Sequence, residues 1–366
     1  MDLQLVRLIA RRSSPPAALV AVAGLTALAA VGQPDRTDIA GVSPLFEGAV
    51  TGTSGLSAST AWLVGLLLAS PLLLVQAARI PDRWFRGEGD WLGVSPAPRS
   101  SIVRSSLAGL ALGAAALAAA AGVGAAGVGA SPPGAAAPGD GALLERAVVA
   151  GPSRSFVLMP GDTFEQVLPP ESFVEGERVR VRVTPTLGGA GPTTSARLVL
   201  GDRIEEVLIA RRTWVELEAP ADRSAVRLTN TGEGALAILG PRPVEVWRPS
   251  GALVGGHLRM AAHVALHLLF LGALALGLGA WMGPGIAGAL AAAVWLGLRM
   301  GLEGPGASEW LPGGAALGSG LAAIGEGRSP SPVAGGVLAA AGAAVLLGFA
   351  LTRAALSAWR RDSRGT

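Results

Sequence analysis

The chain has 366 residues, of which half are hydrophobic and 15% are charged, and its mean hydropathy is +0.49. This composition excludes a pair of ordinary soluble domains and is typical of a polytopic membrane protein. The formal net charge is only +3, so the high isoelectric point reflects the arginines, and no nucleic-acid partner is expected.

Lysine and cysteine are missing from the sequence, and glycine is abundant. The sequence has no lysine, so it has no Walker-type phosphate loop, and any ATPase activity must come from another polypeptide. It has no cysteine, which excludes disulfides, thiolate metal sites and thiol catalysis. Its 53 glycines, together with many alanines, predict transmembrane helices that approach one another closely.

Six apolar stretches are long enough, or nearly long enough, to cross a bilayer as helices. Such a helix needs about 20 apolar residues, with about 17 as the lower limit. The first stretch is marginal by this measure, and Arg299 weakens the fifth. We expect the first to remain as a membrane span and not to be cleaved as a signal peptide. The stretches are Ala17–Gly32, Leu56–Ala78, Leu107–Gly129, Met260–Trp281, Ile286–Leu302 and Val333–Leu351.

The distribution of arginine predicts the orientation, because short cytoplasmic loops collect basic residues. Arginines cluster before the first stretch, between the second and third, and after the sixth. In the opposite short loops, Arg36 and Arg328 each stand alone. Six crossings with both termini in the cytoplasm satisfy all of these biases. We therefore expect a multi-pass protein of the cell inner (plasma) membrane.

Residues 131–255, between the third and fourth spans, change to a period of two. In Arg178–Val183 valine alternates with arginine, which predicts a strand with one apolar face. Further alternating runs, separated by turn signals, predict an extracytoplasmic antiparallel β-sandwich without a recognisable active site. These runs are Ala196–Leu200, Glu206–Ala210, Thr213–Glu218, Ala225–Thr229, Ala235–Leu239 and Val244–Trp247.

The predicted fold is therefore an all-α polytopic membrane domain of six transmembrane helices with an inserted β-sandwich. Residues 1–130 hold the first three helices, residues 131–255 the sandwich, and residues 256–366 the last three helices.

The loop between the second and third spans mixes arginine with aromatic residues. Trp84, Phe85 and Trp91 stand among the basic residues of this loop. Aromatic anchors beside arginines suit both the membrane surface and a partner protein, and the residues alone leave these two hypotheses open.

This loop resembles the corresponding loop of the ABC-2 type permease family. The resemblance is carried by Arg86-Gly87, Ser95-Pro96, Arg99 and Ile102-Val103, which stand at matching spacing before the third span. The amphipathic start of the chain is similar to the interfacial helix that precedes the first span in that family. The chain departs from the pattern with Pro98 in the usual serine place, Glu88 in the usual threonine place, and a large insertion after the third span.

The resemblance implies the transmembrane permease subunit of an ABC-type exporter. A separate ABC ATPase subunit would supply the energy, and two permeases, identical or different, would form the pathway in membrane lipid. We expect no catalytic residue, metal or cofactor. The resemblance assigns the ATPase-coupling loop to Trp84, Phe85, Arg86, Gly87, Trp91, Pro96 and Arg99, and the interfacial helix to Leu5, Ile9, Arg11 and Arg12.

The only histidines, His257, His263 and His267, stand at the start of the fourth span. His263 and His267 are four residues apart and share a helix face, so they are candidates for the transport pathway. A haem-ligand role would fit a second resemblance, to the system II cytochrome c maturation membrane protein. The third span, however, has no histidine to act as the opposite axial ligand. A membrane scaffold that presents the sandwich to an outer partner is a third hypothesis.

The outer segment of residues 303–327 contains the semi-apolar run Leu311–Ile324. It resembles the short re-entrant helices that the permease family has between its fifth and sixth spans. Backbone of that kind must be buried in protein or line a wet cavity. A glycine-rich surface loop is the alternative hypothesis.

Overall fold

A computed structural model provides the fold of the chain. The predicted coupling-loop residues Gly87, Trp91 and Pro96 lie outside the residues that it describes. The described residues are 2–31, 53–86, 98–129, 144–150, 156–167, 178–183, 185–186, 194–201, 203–209, 213–218, 225–238, 244–249, 253–299, 315–325 and 329–362.

Eight helices occur in this part of the chain. Four contain stretches that are long and apolar enough to cross a membrane: Ala58–Trp84, Arg99–Ala126, Gly256–Gly279 and Gly335–Ala358. Two further apolar helices are shorter, Pro16–Ala29 and Pro284–Gly297. The helices are α1 Leu3–Ser13, α2 Pro16–Val31, α3 Thr53–Arg86, α4 Arg99–Gly129, α5 Leu253–Gly279, α6 Pro284–Arg299, α7 Ala315–Gly325 and α8 Gly335–Asp362.

The prediction of a helical membrane protein is confirmed at the level of four candidate spans. Each of the six predicted apolar stretches coincides with a helix, but α2 and α6 have only 16 residues each. α3 continues past the predicted end at Ala78 to Arg86, and α4 begins at Arg99, well before Leu107. The long helices therefore extend beyond their apolar stretches on the side that carries the arginines.

α1 begins with a side-chain cap that is also anchored to α4. Asp2 Oδ1 accepts hydrogen bonds from the backbone N–H groups of Gln4 (2.9 Å) and Leu5 (3.2 Å), which otherwise have no partner in the first helical turn. The backbone N–H of Asp2 donates to Ser105 Oγ at 2.8 Å. The same residue thus starts the helix and fixes its first turn beside α4.

Glycines on α4 continue this contact. Gly109 and Gly113 follow Ser105 at every fourth position, so the three lie on one face of the helix. A Cβ atom on Gly109 would lie 2.7 Å from Cβ of Ile9, and one on Gly113 would lie 2.7 Å from Cβ of Ser13. The backbones of α1 and α4 can approach this closely only because these positions have no side chain.

α2 packs on the next part of the same helix. A Cβ atom on Gly124 would overlap the hydroxyl of Thr26 and lie 2.6 Å from the carbonyl oxygen of Ala23. On α3, a Cβ atom on Gly65 would lie 2.6 Å from Cβ of Ala121. α1 and α2 therefore follow α4 in one direction, from Ser105 to Gly124, with a break between them at residues 14–15.

Close glycine contacts also join α5 to α3 and α8. A Cβ atom on Gly279 would lie 2.5 Å from the carbonyl oxygen of Ala78, and one on Gly348 would lie 2.5 Å from that of Ala273. The apolar core of the bundle fills the remaining space. Its largest fully buried side chains are Trp62, Leu66, Leu73, Leu110, Leu117 and Met260.

The segment between α4 and α5 contains eleven described strands. They form three antiparallel sheets, with orders β1-β11-β4-β8, β2-β10-β5 and β3-β9-β6-β7. Side chains from all three sheets, including Val181, Leu198 and Ile238, share one apolar core. The strands are β1 Leu144–Ala150, β2 Phe156–Leu158, β3 Thr163–Val167, β4 Arg178–Val183, β5 Pro185–Thr186, β6 Thr194–Leu200, β7 Arg203–Ile209, β8 Thr213–Glu218, β9 Ala225–Asn230, β10 Leu236–Ile238 and β11 Val244–Pro249.

Every predicted strand occurs, with ends shifted by three residues at most, but β1, β2, β3 and β5 were not predicted. β1 pairs with β11 through an irregularity between Arg146 and Val148. A bulge of this kind interrupts the alternation that identifies a strand in a sequence. β2 and β5 are too short, at three and two residues, to show any period.

The third sheet has a charged outward face. Arg197 pairs with Glu206 at 2.8 Å and Arg227 with Glu165 at 2.9 Å, and all four side chains are exposed. The hydrogen bond to Glu165 and the charge of its carboxylate raise the pKa of Arg227. Exposed pairs of this kind add little stability. Glu206 therefore lies on a solvated strand face.

We predict that Gly109→Ala destabilises the bundle, whereas Gly24→Ala does not. The added methyl at residue 109 would meet Cβ of Ile9 at 2.7 Å, but at Gly24 no atom lies within 4 Å. Overpacking commonly costs about 1–3 kcal/mol, whereas the open site on α2 gains up to about 1 kcal/mol of helix propensity. Thermal unfolding of the purified variants measures both effects, and equal unfolding temperatures would contradict the close contact between α1 and α4.

Candidate functional site

The bundle has two ends with different chemistry. α3 ends at Arg86 and α4 begins at Arg99, and the contacts Gly279–Ala78 and Gly348–Ala273 bring the later part of α8 to the same end. We call this the arginine end. The starts of α3 and α5 and the last turns of α2 and α4 form the opposite end, which contains His257 and His263, and which we call the histidine end.

Arg99 connects two helices at the arginine end. Its Nη1 donates a hydrogen bond to Ser357 Oγ at 3.0 Å, and the Ser357 hydroxyl donates to the backbone carbonyl of Arg353 at 2.8 Å. This chain of bonds joins the first turn of α4 to the last turns of α8. Arg99, a predicted coupling residue, is therefore part of the structure that holds the two helices together.

Trp84 was predicted as an aromatic anchor of the coupling loop, but it lies in the last turns of α3. Only 7% of it is exposed, and it belongs to the apolar core of the bundle. Ala77, Ile80 and Pro81 are buried on the same side of the helix. Trp84 is therefore a packing residue of the chain itself. Phe85 and Arg86 also belong to α3.

The predicted interfacial helix exists as α1, but its apolar face is buried in protein. Leu5 and Ile9 are 6% and 3% exposed, and Ile9 contacts α4 at Gly109. Arg11 is exposed and Arg12 is half-buried. The amphipathic pattern is thus satisfied mainly by contact with α4.

Trp62 joins three helices at the histidine end. It is fully buried in α3, and its indole Nε1–H donates a hydrogen bond to Nδ1 of His257 in α5 at 3.1 Å. The two rings are nearly parallel, at 18°, with centroids 6.2 Å apart. A Cβ atom on Gly122 of α4 would lie 3.2 Å from the indole ring. Trp62 therefore fixes the first turns of α5 against the last turns of α4.

The hydrogen bonds determine which nitrogen is protonated in the neutral rings of His257 and His263. Indole N–H can only donate, so Nδ1 of His257 must accept, and the proton of the neutral ring is on Nε2. His263 Nε2 lies 3.0 Å from the backbone carbonyl of Ser331. A carbonyl can only accept, so Nε2 of His263 donates. His267 is fully buried one turn further along. The predicted pathway residues His263 and His267 thus lie on the packing face of α5.

α7 packs against this end of the bundle. Ser59 Oγ of α3 donates to the backbone carbonyl of Leu321 at 3.1 Å. A Cβ atom on Gly320 would lie 3.0 Å from the sulfur of Met260 in α5. Leu317 and Ile324 are almost completely buried. This part of the predicted outer segment is a helix buried in protein rather than a glycine-rich surface loop.

Sequence reasoning missed the residues that organise both ends. Ser59 and Trp62 stand inside an apolar run where nothing marks a hydrogen-bonding position. The face of Ser105, Gly109 and Gly113 does have a sequence signal, since small residues recur there at every fourth position.

The described residues contain no group of three or more His, Cys, Asp or Glu side chains that could hold a metal ion. At both ends of the bundle, hydrogen bonds and close packing connect neighbouring helices.

No family model matches the sequence, and no curated protein or solved structure is significantly similar to it.

We predict that Trp62 and His257 are energetically coupled. Trp62→Phe leaves a buried imidazole acceptor without its donor, and an unsatisfied buried group costs about 1–3 kcal/mol. In the double variant with His257→Leu, part of this loss is recovered because no polar atom is left unpaired. A double-mutant cycle on the free energy of unfolding should give a coupling of about 1 kcal/mol. Strictly additive effects would contradict the bond.

Proposed function

We propose that the chain is the transmembrane permease subunit of an ABC-type exporter, powered by a separate ATPase subunit. In this proposal the chain crosses the cell inner membrane six times, and both termini and the arginine end face the cytoplasm. The strand segment faces outward. Two permeases, identical or different, enclose the pathway.

One observation carries this proposal: α1 is attached to α4 next to the point where α4 begins. The bond from Asp2 to Ser105 and the contacts of Gly109 and Gly113 allow little movement between the two helices. A force applied to residues 87–98 would reach the first turn of α4 and move α1 with it. This is the mechanical property that an ATPase-coupling region requires.

Six crossings agree with the lengths of the helices when α1 and α2 are taken together. α2 alone has 16 residues, or about 24 Å of helix. α1 precedes α2 along the same face of α4. Together, α1 and α2 can therefore span a bilayer that α2 alone is too short to cross. α6 also has 16 residues, and Leu290 and Val294 are exposed as expected for contact with lipid.

A β-sandwich outside the membrane agrees with the single core that the three sheets share. Val181 and Val246 of the first sheet, Ile238 of the second and Leu228 of the third are all less than 2% exposed. Apolar side chains from different sheets pack together in this way when the sheets lie face to face.

The proposed coupling mechanism needs no chemistry from this chain. Approach of two ATPase subunits would displace the arginine end of both permeases. Since Arg99 is bonded to Ser357, α8 would move with α4. The shift would be transmitted along α4 to the contacts of Trp62 at the histidine end and open or close the outer side of the bundle.

The haem hypothesis has less support from the geometry. Nδ1 of His257 accepts from Trp62, and Nε2 of His263 is bonded to the carbonyl of Ser331. An iron ligand at either of these nitrogens would have to break a buried hydrogen bond. The described residues of α4 contain no histidine for an opposite ligand.

The topology has a direct test, because the cysteine-free chain allows single cysteines to be labelled cleanly. We predict that Arg36→Cys and Glu205→Cys react with a membrane-impermeant thiol reagent in intact cells. Gly89→Cys and Gln4→Cys should react only after the cells are permeabilised. Labelling of Gly89→Cys from outside would exclude the proposed orientation, and protection of Arg36→Cys would exclude the first crossing.

Co-purification tests the coupling itself. The tagged chain, purified from its native membranes, should bring with it an ATPase subunit that has a phosphate loop. Trp91→Ala should release that subunit, because loss of a buried interface aromatic commonly costs about 2 kcal/mol or more. Trp310→Ala, on the predicted outer side, is the matched control and should retain it. A chain that purifies without any nucleotide-binding subunit would overturn the proposal.

Trp84→Ala is unsuitable as a docking variant. Because Trp84 is in the core of the bundle, its removal should lower the free energy of unfolding by about 3–5 kcal/mol. Loss of the ATPase in this variant would report misfolding and not docking.

A further inference from the structure

The face of α1 that points away from α4 is basic. Arg7 and Arg11 are exposed on it, together with Gln4. Leu3 and Leu8 flank the arginines and are 63% and 37% exposed. α1 thus has two functional faces: an apolar face packed on α4 and an exposed face with cationic groups between two leucines.

No acidic group of α1 neutralises this face. α1 itself contains no Asp or Glu, and Asp2, which precedes it, uses its carboxylate to cap the first turn. Arg104 is exposed on α4 next to Ser105, the residue that holds the start of α1. Arg7 and Arg11 therefore form a positively charged area on α1, and Arg104 adds a further exposed arginine near its start.

The course of α1 places this area at the edge of the apolar part of the bundle. Asp2 lies beside Ser105 and Ser13 beside Gly113. Between these two contacts, α1 is about 16 Å long and α4 is about 12 Å long. The axis of α1 is therefore inclined to the axis of α4. The apolar stretch of α4 begins at Leu107, which lies between these two contacts. In a bilayer whose hydrocarbon layer begins near Leu107, the exposed arginines would lie close to the level where the polar layer meets the hydrocarbon.

We propose that the exposed face of α1 binds the phosphate group of an anionic phospholipid. The guanidinium groups of Arg7 and Arg11 have the planar donor geometry that matches phosphate oxygens. The exposed leucines suit contact with the upper part of the acyl chains. This proposal does not depend on an ATPase partner, since it concerns the permease chain alone.

The test is a lipid titration of the purified chain in detergent, followed by native mass spectrometry. We expect phosphatidylglycerol to bind more tightly than phosphatidylcholine. A basic residue near an anionic membrane surface strengthens binding about fivefold, so Arg7→Gln with Arg11→Gln should weaken phosphatidylglycerol binding by about thirtyfold. Each single variant should weaken it by about fivefold, which provides a second measurement if the double variant does not fold.

Two control variants distinguish binding at this face of α1 from a general effect of positive charge. Arg7→Lys with Arg11→Lys keeps both charges but removes the planar donors, so it should bind phosphatidylglycerol more weakly than the unmodified chain and more tightly than the double glutamine variant. Arg353→Gln removes an exposed arginine of α8 at the same end of the bundle and should bind as the unmodified chain does. Thermal unfolding of each variant checks that the fold is intact.

Three results would overturn the proposal. Equal binding of the two lipids would mean that the face does not recognise charge. An equal loss in Arg353→Gln would mean that any arginine at this end acts in the same way. Displacement of phosphatidylglycerol by millimolar inorganic phosphate would assign the face to a free anion and not to a lipid.

Discussion

The close approach of α1 and α2 to α4 is the contact on which the rest of the bundle depends. Within a bilayer there is little hydrophobic gain when one apolar helix leaves lipid for another, so association relies on close packing and on hydrogen bonds between helices. α4 supplies both along one face, with Ser105 as an acceptor and with Gly109, Gly113 and Gly124 as positions without side chains. The same helix contacts Trp62 through Gly122. α4 is therefore the helix on which the neighbouring elements are aligned.

The six apolar helices could be predicted from hydropathy because the apolar stretches are uninterrupted by charge, apart from Arg299 near the end of the fifth. The ends of the helices could not be predicted in this way. Hydropathy changes where the chain leaves the lipid, whereas the hydrogen-bonded helix can continue beyond that point. α3 illustrates the difference: it continues through Arg79, Asp82 and Arg83 because Ile80 and Trp84 still have a buried side on which to pack. The spacing of Ala77, Ile80 and Trp84 is helical, and this signal could have extended the prediction.

The candidate sites were harder to predict than the fold, because a residue pattern does not identify the partner of a side chain. The amphipathic pattern of α1 indicates an apolar face at Leu5 and Ile9, and both are buried as expected, but against protein. The helical spacing of His263 and His267 indicates a shared face, and that face is the packing face of α5. In the strand segment, alternation identified most of the regular strands but missed β3, and the irregular pairing of β1 hid a strand that is otherwise of ordinary length.

The way in which Trp62 joins α4 to α5 has a consequence for the modular organisation of the chain. The strand segment leaves the bundle after α4 and returns at α5, and the two helices meet at the same indole, through Gly122 and His257. The segment also has an apolar core of its own, separate from that of the bundle. A loop of a few residues could connect two neighbouring helix ends at small entropic cost. The contacts between the helices therefore do not require the core of the strand segment, and a short loop in its place would leave the ends of α4 and α5 beside the same indole.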